Sequence, residues 1–96
     1  MARTRLIAIA AFQSEPERIL GCYSEADLAM DAILSAHVPA PAGGQLFFEE
    51  PDNAYPKMIQ ARFALNGEAR HLGRIMVDRG SVDTVLAELR KSQSVG

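Results

Sequence analysis

From Leu6 to Phe12 every position is apolar, the pattern of a strand covered on both of its faces. It predicts a central strand. Gln13 to Glu17 is polar and contains a proline, and Arg18 to Tyr23 reads as a return strand completing a first hairpin. Ser24 can cap a helix whose first turn carries Glu25 and Asp27, and Leu28, Ala29, Met30, Ala32, Ile33 and Leu34 give it a broad apolar stripe to about Ala36. His37 to Gly44 holds two prolines and two glycines and cannot continue that helix, so it reads as a connector. Gln45 to Glu50 is a short strand and Pro51 to Pro56 a turn-rich loop. After Asp78 to Ser81, the positions Val82, Val85, Leu86 and Leu89 follow helical spacing, and Ser92 to Gly96 reads as a frayed tail.

The segment from Lys57 to Asp78 is the strongest signal. Two alternating runs meet at Asn66-Gly67, a pair that tolerates positive φ and favours a hairpin. On the first run Ile59, Ala61, Phe63 and Leu65 share one face, and on the return run Ala69, His71, Gly73, Ile75 and Val77 share another. A two-residue turn would set Leu65 opposite Glu68 and Phe63 opposite Arg70, an aromatic against a charge. A three-residue turn with a bulge slips the register by one and joins the two apolar sets. The pattern therefore favours the bulged turn. It puts His71 on the core face, and Met58, Arg62, Arg70, Leu72, Arg74 and Met76 on the opposite one.

Residues 5–36 and 57–92 have the same order of strand, strand and amphipathic helix, with linker 37–44 and short strand 45–50 between them. The expected architecture is one domain over residues 1–96, of α+β class, in the order ββα-β-ββα. An antiparallel sheet of about five strands carries both helices on one face. The other face then has apolar groups with no cover in a monomer, and a second copy of the chain is the simplest occupant.

Composition narrows the classes without choosing a chemistry. With 96 residues and 48% apolar content, the chain can bury one core. The net charge of −2 gives no general attraction to nucleic acid or anionic lipid. Its distribution is uneven: Gln13 to Asp52 holds eight acids against Arg18, and Lys57 to Lys91 holds seven bases against four acids. Glu15, Glu17, Glu49, Glu50 and Asp52 are thus the candidates for a surface offered to a basic partner. Arg3 and Arg5 before the apolar run faintly imitate a signal peptide, but no small-residue cleavage pattern follows, so a cytoplasmic chain with no membrane span is expected.

Candidate chemistry is sparse. Cys22, His37 and His71 are the only soft ligands, with no metal-binding spacing, and no phosphate-cradling glycine loop is present. The lone Cys22 reads as a buried, inert thiol, and His37 as a helix-end contact. Adjacent acids such as Glu49 and Glu50 have no apolar pocket nearby in sequence to shift a pKa. No catalytic residue, cofactor or metal is expected. The pattern favours a non-enzymatic interaction or regulatory module, homodimeric through Met58, Arg62, Arg70, Leu72, Arg74 and Met76. The alternative is a nucleic-acid surface on Arg62, Arg70 and Arg74, although stacking aromatics are missing from that face. A third reading is a small enzyme with a pocket at Pro39 to Gly44.

Overall fold

A computed structural model describes residues 3–37 and 44–94. Residues 38–43 of the sequence-predicted connector at 37–44, the pocket expected at Pro39 to Gly44 except for Gly44, and the last two residues of the tail lie outside the described residues. Seven elements follow in order: β1 (Arg5–Ala10), β2 (Arg18–Tyr23), α1 (Ala26–Ala36), β3 (Gln45–Glu49), β4 (Met58–Leu65), β5 (Glu68–Arg79) and α2 (Val82–Ser94). The strands form one antiparallel sheet in the order β2-β1-β5-β4-β3. This is the expected α+β architecture, and β1 lies inside the sheet as its continuous apolar run requires.

Both helices cover one face. Ala29, Met30 and Ile33 of α1 and Val85, Leu86 and Leu89 of α2 join Leu6, Ala8, Ile59, Ala61, Ile75 and Val77 of the sheet in a single buried cluster. Ser81 caps α2, its Oγ accepting from the Thr84 N–H at 3.4 Å. Ser24 does not cap α1: the N-cap is Glu25, with no side-chain cap bond, because the helix begins one residue later than the sequence suggests. At the other end, α2 runs on to Ser94, so the predicted frayed tail is in large part helix.

The central hairpin corrects the expected register. Leu65 pairs with Glu68 and Phe63 with Arg70 through a two-residue turn, with Asn66 at φ 53° and Gly67 at φ 83°. Two consecutive positive φ values make a type I′ turn, whose twist matches that of the strands without a third residue. The slip occurs deeper instead. Arg62 pairs with His71 and Ala61 with Gly73, leaving Leu72 as the bulged residue. Below this point Ile59 and Ala61 share the core face with Ile75 and Gly73, as the sequence pattern requires. Leu72 also turns inward and is 0% exposed, so it belongs to the core and not to the open face.

Two donors hold the bulge from elements distant in sequence. The Leu72 carbonyl accepts the Ala11 N–H at 2.9 Å and His37 Nε2 at 2.8 Å. Since a carbonyl can only accept, His37 must carry its proton on Nε2. His37 is buried, and its ring also packs 5.1 Å from Phe12. The sequence-based helix-end role thus understates this residue.

Candidate functional site

The face of the sheet opposite the helices has no helix on it among the described residues. Its side chains can be read from strand to strand by register. Cys22 of β2 lies beside Ile7 of β1, Ile7 beside Met76 of β5, and Met76 beside Met58 of β4. This row is apolar across four strands. The next row runs Ile19, Ile9, Arg74, Gln60 and Glu49, and the third brings His71, Arg62 and Phe47 together. Ile9 is nearly enclosed, whereas Ile19 on the edge strand is 71% exposed.

Of the residues that the sequence assigns to this face, Met58, Arg62, Arg74 and Met76 are there and half-buried. Leu72 is in the core, drawn there by the bulge. Arg70 sits opposite Phe63 and therefore on the helix side of the sheet, where it is exposed. His71 has moved the other way, onto the open face beside Arg62. Cys22 is exposed and not buried, because the outer edge of β2 is unpaired among the described residues.

The arginines of the open face are engaged by acids. Arg62 Nη1 donates to Glu49 Oε1 at 3.1 Å, and Arg74 Nη2 to Glu17 Oε1 at 2.6 Å. The Nε of each guanidinium is buried without an acceptor among the described residues. His71 lies among these charges. Burial holds its pKa below 6.5, and Arg62 and Arg74 act in the same direction while Glu17 and Glu49 oppose them.

The acids that the sequence offers to a basic partner are likewise occupied within the chain. Glu15 lies 3.7 Å from Arg18 and Glu50 3.8 Å from Arg90, in addition to the Glu17 and Glu49 pairs. Asp52 Oδ1 accepts the N–H groups of Ala54 and Tyr55, both at 2.8 Å, in a local turn. Four of these five acids are thus paired with arginines of the same chain. Surface ion pairs of this kind contribute little stability, but they neutralise the side chains that make them.

Sequence reasoning missed Ile7, Ile9, Ile19 and Phe47 as parts of the open face. The alternation in β1 and β3 was available, but only the strand order shows which neighbours they line up with. Among the described residues, no group of three or more His, Cys, Asp or Glu side chains could hold a metal ion, and no helix is long and apolar enough to cross a membrane. Comparison with known proteins finds no matching family model, no matching curated protein and no matching solved structure.

Proposed function

We propose that this chain is a non-enzymatic interaction module that self-associates through the open face of its sheet. The observation that carries this reading is the apolar row Cys22, Ile7, Met76 and Met58, unbroken across four strands and flanked by neutralised charges. Apolar centre and charged rim are the composition of a protein interface, in which arginine and methionine are enriched. A second copy is the occupant favoured by charge. Glu17 with Arg74 and Glu49 with Arg62 make the face nearly neutral, so two copies can meet across a two-fold axis without like-charge repulsion. The unpartnered Nε–H groups of Arg62 and Arg74 fit the same reading, since a facing copy can bring acceptors.

A nucleic-acid surface is less well supported. Phosphate binding relies on free cations, whereas two of the three arginines are bound to carboxylates and Arg70 lies on the other side of the sheet. The test is solution mass by light scattering over a dilution series, with Met58→Lys and Met76→Lys combined in one variant. Both side chains are half-buried on the open face, so the variant should fold, which far-ultraviolet circular dichroism checks. A dimeric parent and a folded monomeric variant are the expected pair. A parent that is monomeric at every concentration overturns the reading.

A further inference from the structure

At the turn end of the central hairpin the sheet has a notch. β1 ends at Ala10, and its pairing with β5 reaches only Gly73, so Glu68 to His71 have no β1 residue beside them. The space left there is a cavity of about 500 Å³, walled by Phe12 and Gln13 where the chain leaves β1 and by Glu68, Ala69, Arg70 and His71 of β5. That volume lies within the range of small-molecule sites, roughly 300–1,000 Å³.

Two charges in the notch have no partner among the described residues. Glu68 and Arg70 are two residues apart on one strand and so project to the same side. They do not pair with each other or with any other described residue, in contrast to the acids and arginines of the open face. An anion alone would be attracted by Arg70 and repelled by Glu68, and a cation alone would meet the reverse. A molecule carrying both signs a few bonds apart satisfies both. Phe12 supplies an apolar wall, held in place by His37 at 5.1 Å and by the Arg18 guanidinium 5.0 Å above its ring. The Gln13 amide and the backbone edge at Ala69, unpaired on the β1 side among the described residues, add donors and acceptors.

We propose that the notch binds a free α-amino acid, its carboxylate on Arg70, its ammonium on Glu68 and its side chain against Phe12. Arginine suits the carboxylate because its fork can make two parallel bonds. His71 stands at the same mouth, held toward its neutral form by burial, and adds no second full cation at neutral pH. The notch lies at the opposite end of β5 from the Met58–Met76 pair, so binding does not require self-association.

The experiment is a titration of the full chain, followed by amide chemical shifts, with L-phenylalanine, L-leucine and L-glutamine as probes. Phenethylamine and 3-phenylpropanoate, each lacking one of the two charges, serve as comparators. At least one amino acid should shift the amides of Phe12, Ala69, Arg70 and His71 and reach saturation. Each comparator should bind roughly ten- to a hundredfold more weakly, the size of one charge-assisted hydrogen bond. Arg70→Gln and Glu68→Gln should each lose a similar factor while keeping the parent's amide spectrum elsewhere, both side chains being exposed. Three results overturn the proposal. One is equal binding of a comparator, and another is undiminished binding by both variants. The third is no shift by any probe at about 10 mM, where a site of ~1 mM affinity would be mostly filled.

Discussion

His37 and His71 are the only histidines, and the fold gives them opposite duties. His37 is buried, with its Nε2 proton on the Leu72 carbonyl, which joins the end of α1 to the bulge of β5. His37→Phe keeps a ring against Phe12 but removes the donor. The expected cost is about 1–3 kcal/mol, read as a lower urea midpoint at unchanged slope. A loss of slope would point instead to a change in compactness. His71 is half-buried on the open face, and its folded pKa lies below the 6.5 of the unfolded chain, first through burial and then through Arg62 and Arg74. In the window between those two values the unfolded chain holds more protons than the folded one, so acidification favours unfolding. Above pH 6.5 both states hold His71 neutral and the effect vanishes. Stability measured from pH 8 down to 5 should therefore fall less steeply in His71→Gln than in the parent. Parallel curves for the two proteins would count against the assigned burial.

At the scale of the elements, two glycines separate the effects of crowding and backbone strain. A Cβ on Gly73 would collide with the Ile9 carbonyl oxygen, whereas one on Gly67 would meet nothing within 4 Å. Gly73→Ala must push β1 away from β5 in the middle of the sheet, at about 1–3 kcal/mol or more. Gly67→Ala pays only for a side chain at φ 83°, about 1 kcal/mol. Gly73→Ala should accordingly lower the melting temperature by more, and the reverse order would place the tight approach elsewhere. The elements themselves were legible in the sequence. β2 spans Arg18–Tyr23 as its pattern predicts, β1 begins within a residue of its predicted start, and Val82, Val85, Leu86 and Leu89 mark α2. The site of the bulge was not legible. A one-residue slip anywhere between the turn and Ala61 gives the same faces for Ile59, Ala61, Ile75 and Val77, so alternation alone cannot locate it. Ala11 and His37, distant in sequence, decide it by binding the Leu72 carbonyl. Ala69, Arg70, His71 and Leu72 lie inside that undetermined interval, and they are the residues whose faces the sequence misassigned.

For the whole molecule, self-association through an apolar row and binding through cations respond to different variables. If two copies bury the row from Cys22 to Met58, dissociation accompanies unfolding, and the melting temperature must rise with protein concentration. Met76→Lys puts a charge into the middle of that row, between Ile7 and Met58, and should make the melting temperature independent of concentration. Salt supplies the second criterion. Burial of Ile7, Met58 and Met76 is not weakened by added sodium chloride, and sulfate should strengthen it. Arg62 and Arg74 contribute little to a salt-sensitive term because Glu49 and Glu17 already neutralise them within each copy. The dimer should therefore persist from 50 to 500 mM salt, whereas a nucleic-acid complex held by those arginines would lose affinity steeply over the same range. A concentration-dependent melting temperature that disappears in high salt would mean that the copies meet through their ion pairs, and the apolar row would then lose its place as the centre of the interface.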